Sequence, residues 1–543
     1  AAEASVSFDN IGGMNETTSK EYRYMNSNAS ITSDGTLVTT PAIYGTDSET
    51  LGHNQPFERL MLRSDFQAKV DYNRTFGKHQ VGGALIYDMQ SVVRNGRNNS
   101  QKNQSVLVNA TYTYDNRYSL NAVFNRSGSA YLPDGNKYSN YPAVSAAWIV
   151  SNEAFMEKVT PINLFKIRAS YGLSGWDGNL SHELWRQSYG SGGAGYNFGV
   201  NAGGQSGGSE GDLPVIGLVA EKSQKATFGF DLAAFDNRLN ATVEGFYEKR
   251  SDILVSGANS TSGIIGITVG QVNEGIYKYK GLDASLSWND KIGDFHYGVG
   301  ASMSYLNSEV VNVNQAYQEY DYLYTKGNRI GQMYGLEAIG FFNSQQEINN
   351  SPQQTFSDVA PGDVKYKDQN GDNRIDEKDV VKMFGSSVPR FYFGFNLNFS
   401  YKRLELSADF QGMTGVTVSL LNSPLYSPLV SNGNISNTFL NEEISWTPEN
   451  KTNATMPRLT TQENLNNYRA NSLWYRDGSF LKLRNLLVAY TFPKSQTRFA
   501  DLKVFVQGTN LFSLDNIHFA DPEQLGIAYP STRSYWAGIK LNF

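Results

Sequence analysis

Phe391-Tyr392-Phe393-Gly394-Phe395-Asn396-Leu397-Asn398-Phe399 is followed, after Tyr401-Lys402-Arg403, by Leu404-Glu405-Leu406-Ser407-Ala408-Asp409-Phe410-Gln411. Both runs alternate strictly. A strand has a side-chain period of two, so Phe391, Phe393, Phe395, Leu397 and Phe399 share a face opposite Tyr392, Gly394, Asn396 and Asn398. On the return run Leu404, Leu406, Ala408 and Phe410 oppose Glu405, Ser407, Asp409 and Gln411. The apolar face is unusually aromatic, and the polar face mixes small residues, amides and carboxylates. A soluble sandwich turns its apolar face to a dry core and its polar face to water. A wet lumen behind Glu405 and Asp409, with lipid against the aromatic face, fits this mixture better. The pair predicts an all-β chain, a large antiparallel transmembrane β-barrel. In it Phe391, Phe393, Phe395 and Phe399 meet lipid, while Glu405 and Asp409 meet the lumen.

The same unit recurs on both sides. Val106, Val108, Ala110, Tyr112 and Tyr114 alternate with Leu107, Asn109, Thr111 and Thr113. Asp115-Asn116-Arg117, a tight turn by composition, then leads into Leu120, Ala122 and Phe124. Phe228–Phe235, Asp236-Asn237-Arg238 and Leu239, Ala241, Val243 repeat the unit. So do Leu282, Ala284, Leu286 and Trp288, returned through Asn289–Gly293 to Phe295, Tyr297, Val299, Ala301, Met303 and Tyr305. Further upstream, a strand from Phe57 to about Phe76 turns at Gly77-Lys78 into Val81–Gln90. The start of the chain is less regular, with Ser5–Asp9 and Glu21–Asn26 readable as strands. This gives two regions: 1–56, early barrel strands and an extracellular loop, and 57–543, the barrel with long extracellular loops.

Short turns at 77–78, 115–117, 236–238, 289–293 and 401–403 alternate with long segments. The long ones lie near 130–140, 175–217, 254–274, 307–330, 343–388, 413–472 and 514–534. Long loops without structure of their own usually carry function. Short connections on one rim and long ones on the other are the periplasmic and extracellular asymmetry of outer-membrane barrels. The count is about 16 to 18 strands. Leu164–Tyr171 begins out of pattern, and 413–472 gives no strand reading.

The chain stops on Tyr535-Trp536-Ala537-Gly538-Ile539-Lys540-Leu541-Asn542-Phe543, again without a break in alternation. Taken alone, this is either the edge strand of a soluble all-β domain or a barrel strand that pairs with an early one to remove its free edge. The terminal aromatic, with Gly538 and Leu541 upstream, resembles the C-terminal signal of bacterial outer-membrane barrels.

Composition agrees with the barrel. Tyr (33), Phe (30) and Gly (51) are abundant, yet mean hydropathy is −0.44 and no apolar run reaches the length of a spanning helix. That excludes a helical membrane protein and leaves a barrel, whose lumenal side is polar. A net charge of −6 argues against a nucleic-acid surface. With no cysteine there is neither a disulfide framework nor a thiolate site. The N-terminus has no basic or apolar leader, and the rest of the chain favours reading it as the start of a fragment.

Catalytic patterns are not read here. His53, His79, His182, His296 and His518 are scattered, with no metal-ligand spacing. Ser188–Gly211 is glycine-rich but lacks a following Gly-Lys-Ser/Thr and reads as a flexible extracellular loop. No G-x-S-x-G elbow is read. Trp176, Trp185, Tyr189 and Tyr196 in the loops are suited either to stacking on a ligand or to packing loops together.

One stretch has metal-ligand spacing. Asp368-Gln369-Asn370-Gly371-Asp372-Asn373-Arg374-Ile375-Asp376-Glu377-Lys378-Asp379 places oxygen side chains at positions 1, 3, 5, 9 and 12 of a twelve-residue loop. Calcium takes six to eight oxygens in a flexible shell. The predicted ligands are Asp368, Asn370, Asp372, the Arg374 carbonyl, Asp376 and Asp379, with Ile375 anchoring the loop inward. The pattern is close to the loop of EF-hands and dockerins. It departs at position 6, Asn373 for Gly, and at position 12, Asp379 for Glu. The alternative is an acidic solvated turn.

Several segments in order resemble the SusC/RagA-like TonB-dependent transporters of Bacteroidetes. They are Tyr118-Ser119-Leu120-Asn121-Ala122 through Arg126-Ser127-Gly128-Ser129, Ser145-Ala146-Ala147-Trp148, Phe155-Met156 and Ile167-Arg168-Ala169-Ser170-Tyr171-Gly172. Asp236-Asn237-Arg238-Leu239, Phe410-Gln411-Gly412, Phe480–Leu486, Tyr490-Thr491-Phe492-Pro493 and Gln507-Gly508-Thr509-Asn510-Leu511-Phe512 follow. The set runs from about residue 57 to the end, and its order is its specificity. The resemblance implies a barrel of about 22 strands, an N-terminal plug that gates it and contacts TonB, a SusD-like surface lipoprotein, and import of an oligosaccharide or oligopeptide across the outer membrane. No plug is legible here, so the chain matches the C-terminal barrel portion, and the rival function is a barrel-anchored adhesin without transport.

Overall fold

The computed structural model describes all residues except 1, 15–16, 20–22, 32–36, 48–51, 55–56, 95–99, 182, 197–204, 258–263, 265, 422–443, 461–462, 518–519 and 525–530. His182 and His518 therefore lie outside the described residues. Sixteen strands form one antiparallel sheet in sequence order. They are β1 (Ala2–Met14), β2 (Phe57–Phe76), β3 (His79–Arg94), β4 (Ser100–Tyr114), β5 (Tyr118–Ser129), β6 (Tyr138–Ile149), β7 (Ile162–Trp176) and β8 (Glu221–Ala234). Then come β9 (Leu239–Ser256), β10 (Gln271–Ile292), β11 (Phe295–Asn312), β12 (Phe391–Tyr401), β13 (Leu404–Thr414), β14 (Phe480–Phe492), β15 (Asp501–Asp515) and β16 (Ser534–Asn542).

Register carries the alternation of each strand across the whole wall. Val70 pairs with Leu85, Leu85 with Val108, and Val108 with Phe124. Leu286 pairs with Ala301, Ala301 with Phe395, and Phe395 with Phe410 at a ring separation of 4.3 Å. The opposite face runs from Ser287 to Gly300, Asn396, Asp409 and Asn485. One apolar and one polar surface follow, as a lipid-embedded wall requires. Glu405 and Asp409 lie on the polar face, and the phenylalanines of β12 on the apolar one.

The short connections turn on residues with left-handed backbone. Gly77 has φ +59°, and Asp115 and Asn116 have φ +52° and +54°, the geometry two-residue hairpins need. Alternate connections, 77–78, 115–117, 150–161, 235–238, 293–294, 402–403 and 493–500, lie on one rim and none exceeds 12 residues. The longest connections share the other rim. The segments expected at 307–330 and 343–388 belong to a single connection, 313–390, because no strand of the wall intervenes. The irregular start of β7 is a register shift between Ile162 and Leu164, the extra residue of a bulge.

β16 pairs with β15 and not with an early strand, and β1 pairs with β2 alone. Closing a sheet fixes strand number, tilt and shear together. This wall remains an open sheet with two free edges among the described residues.

The dry core lies outside the wall. Trp474, Tyr366, Phe342, Leu336, Ile375, Leu420 and Val364 are fully buried, and all belong to the connections 313–390 and 415–479. A second cluster joins Leu132 to Leu180, Val215 and Leu218, between the connections 130–137 and 177–220.

Candidate functional site

The polar face of the wall is charged and glycine-lined. Arg168 on β7 bridges Asp231 on β8 at 3.4 Å and also pairs with Glu244 on β9, while Lys166 reaches Asp231 at 3.3 Å. Lys503 on β15 pairs with Glu405 at 2.5 Å. A cavity of about 600 Å³ lies along Asp231, Thr242, Ser285, Gly300, Asn396 and Asp409. A second, of about 680 Å³, lies nearer the short turns along His296, Gly298, Asn398, Glu405 and Ser407. Gly298 and Gly300 let neighbouring amides pack against the backbone: a Cβ at either would clash with Asn289 Oδ1 or Asn396 Oδ1. The linings are mixed, with Leu164, Leu232 and Phe395 in the first cavity and Arg238, Tyr297 and Phe399 in the second beside the polar groups.

Above it, the two longest connections are docked on each other. Asp363 is fully buried and accepts from Arg458 Nε at 2.7 Å and Nη2 at 3.2 Å. Asn464 and Asn467 also donate to it, at 3.1 and 2.9 Å, and the Ala360 N–H at 2.8 Å. Asn466, Asn467 and Asn471 are fully buried beside it. Asn466 Nδ2 donates to the Val364 carbonyl, the Tyr366 hydroxyl to the Asn466 carbonyl, and Trp474 Nε1 to the Asn467 carbonyl. Burial pushes the Tyr366 phenol far up, so it stays a donor. Gly362, at φ +96°, lets the chain pass under Trp446, whose ring would lie 2.4 Å from a Cβ there. Every member finds a partner, the condition under which a buried polar network specifies one arrangement. Sequence reading missed this dock. Its one signal is the asparagine-rich run Asn464-Leu465-Asn466-Asn467, inside a segment that gave no strand pattern.

The loop 368–379 sits on the edge of the same unit. Ile375 is fully buried among Leu336, Val364 and Tyr366, as the inward anchor predicts. Asp368 Oδ1 accepts from the Gly371 N–H and Oδ2 from the Asn373 N–H. Asp372 Oδ1 accepts from the Arg374 N–H at 2.9 Å. Asp379, fully buried, accepts from the Gln369 and Asp376 N–H groups, both at 2.8 Å. Asn373 takes the left-handed conformation, φ +64°. The carboxylates thus wrap their own backbone, and among the described residues no three acidic or histidine side chains converge to hold a metal ion.

The four loop aromatics divide. Trp185 packs on the Leu132 and Leu218 cluster under Arg186. Trp176 and Tyr189 are exposed, and the Tyr196 side chain lies outside the described residues. The glycine-rich stretch is in part a hairpin, Tyr189–Tyr196 against Gln205–Glu210. Two Gly-x-Ser-x-Gly matches do occur in it, Gly204–Gly208 and Gly207–Gly211. Their serines, Ser206 and Ser209, fall on the strand Gln205–Glu210, and no helix directly follows it as an elbow needs.

Comparison with known proteins places this architecture. No family model matches the chain. It is 28% identical over 461 residues to a TonB-dependent receptor of Formosa agariphila, covering 80% of this chain and 45% of the relative. To the TonB-dependent receptor SusC of Bacteroides thetaiotaomicron it is 20% identical over 565 residues, 94% of this chain and 53% of that one. The solved RagAB peptide transporter superposes with a TM-score of 0.72 at 17% identity, over 99% of this chain and 62% of that one. The chain is similar to SusC-like TonB-dependent transporters in sequence, and its wall has the architecture of their barrel. It spans about half the length of the curated relatives it matches. A SusC-like barrel resides in the outer membrane, which the two-faced wall fits; among the described residues no helix is long and apolar enough to cross one.

Proposed function

We propose that the whole protein imports a bulky nutrient, an oligosaccharide or oligopeptide, across the bacterial outer membrane. In this reading a SusD-like surface lipoprotein covers the docked loops, and TonB acts through a plug that is not legible in this chain. The observation that carries it is the wall itself: a continuous polar face, with two cavities, beneath a rim of long loops that are docked rather than loose. A barrel of this class has room for cargo beyond porin scale. The reading assigns transport and no catalysis. An adhesin would need the same anchor but no hydrated inner face. Purification in mild detergent with native mass spectrometry tests the difference. Co-purification of a lipoprotein and a plug polypeptide supports import, and a lone barrel without either rejects it. Cargo class follows from bound ligand in the same spectra, since family likeness does not fix specificity.

We propose also that Asp368, Asn370, Asp372, Arg374, Asp376 and Asp379 hold a structural calcium ion. The support is the donor spacing and the way Asp368 already gathers the Gly371 and Asn373 amides around one point. Carboxylate oxygens keep a second lone pair after accepting one N–H. The ion would stiffen 360–380 and take no part in chemistry.

A further inference from the structure

Among the described residues, Arg329 and Arg390 leave positive charge without an acid. Arg390 ends the connection 313–390, one residue before β12, and its backbone is tied to both neighbouring strands. Its N–H donates to the Thr414 carbonyl at 3.0 Å, and its carbonyl accepts from Leu306 N–H at 2.9 Å. Arg329 lies in the same connection and donates through Nη2 to the Val388 carbonyl at 3.0 Å. Two more bonds clamp the segments together, Ser387 N–H to the Gly331 carbonyl and Ser386 Oγ to the Ile330 carbonyl, both at 2.8 Å. The arginines are thus held close by rigid backbone.

The Nε atoms of both side chains are buried and have no hydrogen-bond partner. Neither guanidinium meets a carboxylate among the described residues; elsewhere in the loops arginines pair readily, as Arg458 does with Asp363. Burial, and then the neighbouring Arg390 charge, hold the Arg329 guanidinium below its usual range. An arginine brings five donors and no acceptor. A buried donor left unmade costs free energy, and in native proteins such a group commonly marks an ordered water or ion. Two neighbouring guanidiniums repel one another, and an anion bound between them relieves the repulsion. Their planar forks match the paired oxygens of a carboxylate or sulfate.

We propose that Arg329 and Arg390 form a binding site for an oxyanion of the carboxylate or sulfate class, at the long-loop end of β12. This rests on the import reading only for the source of the oxyanion, which would then be a substituent of the cargo. The site is testable without transport.

The full chain, purified in mild detergent, is titrated with sodium sulfate while sodium chloride holds ionic strength constant, and Tm is followed. Sulfate strengthens burial in any protein, so the variants decide. Wild type should show a saturable rise. R329Q and R390Q should each weaken apparent affinity at least about tenfold, the loss expected for hydrogen bonds to a charged group. Without sulfate, R390Q should not melt lower than wild type, because it relieves like-charge repulsion and breaks no side-chain hydrogen bond among the described residues; a purely structural arginine would give the opposite sign. K382Q, at an exposed lysine of the same connection, should respond like wild type. Repeating the titration with trigalacturonate and with triaspartate separates an acidic saccharide from an acidic peptide as the source. A non-saturable response in wild type, or equal responses from wild type and both arginine variants, overturns the site. Saturable binding in a barrel that co-purifies with no plug or lipoprotein keeps the site and rejects import.

Discussion

Replacing Asp363 by alanine should release the two longest connections from each other while leaving the barrel intact. The carboxylate is fully buried and accepts five hydrogen bonds between 2.7 and 3.2 Å: two from Arg458, one each from Asn464 and Asn467, and one from the Ala360 amide. Removing one partner of a buried ion pair typically costs about 3–5 kcal/mol, because the other charge is left behind. The Arg458 side chain is 29% exposed and recovers some water, so the lower end applies, about 3 kcal/mol. That raises the open population of the dock roughly a hundredfold. Proteolysis under rapid opening and closing reports this population. Cleavage within 336–380 and 444–475 should accelerate by that factor, and amide exchange there should lose protection to match. Resistance of the wall to unfolding in detergent should not change, since no strand loses a ladder bond. D363A/R458A should be less damaging than the sum of the single variants, as groups in direct contact are coupled. Cleavage of D363A at the wild-type rate, or additive single variants, would refute the claim that this network holds the loops.

Phe395→Lys should cost about 2–4 kcal/mol near the bilayer midplane and Ser407→Lys much less, measured by unfolding in lipid; equal tolerance contradicts the assignment of faces. Calorimetric titration after chelation should show calcium binding to wild type and its loss in Asp372→Ala, and equal binding by both, or none at millimolar calcium, removes that site. Lys482 is 4% exposed on β14 and pairs with Asp521 at 2.5 Å and Glu523 at 2.6 Å, which pins the connection 516–533 to the wall. Burial raises both carboxyls, but hydrogen bonds from Lys482 to each, and from Arg484 to Glu523, outweigh it and hold both below their usual range. A depressed carboxyl contributes stability above its unfolded pKa and loses it as pH falls through the folded one. Amide protection at 521–524 should therefore be constant from neutral pH to about pH 5 and fall below about pH 4. Protection unchanged at pH 3 refutes the pinning.

Strand and face were legible because alternation is a local property. Each residue of Phe391–Phe399 declares its side by position alone, and register extends that decision to neighbours. Legibility stops where the period slips. Phe480-Leu481-Lys482-Leu483-Arg484-Asn485-Leu486 reads as one strand, yet register shifts between Asp409 and Phe410 on one side and between Leu483 and Asn485 on the other. Leu483 and Leu486 thereby share the apolar face, although strict alternation would separate them. The extra residue, Arg484, bonds Gln411, Asn510 and Glu523 instead of a ladder partner. A one-residue insertion flips every later side chain, and no composition signal announces it.

The loop dock was illegible for a different reason. Asp363 and Arg458 are 95 residues apart in sequence, and asparagine in a loop ordinarily bonds its own backbone or water. Only the fold shows that Asn464, Asn466, Asn467 and Asn471 turn inward together. The loop 368–379 lies between the two cases. Its spacing foretold the buried Ile375, which depends on neighbours a few residues away. Convergence of Asp368, Asp372, Asp376 and Asp379 on one point depends instead on whether four like charges are brought together. Without a cation their repulsion opposes that, and the same carboxylates find the nearest N–H groups. The oxyanion pair poses this question with the sign reversed. Arg329 and Arg390 cannot turn to an N–H, because a guanidinium has no acceptor. Backbone bonds on both sides hold them near each other regardless, and among the described residues no acid compensates their charge.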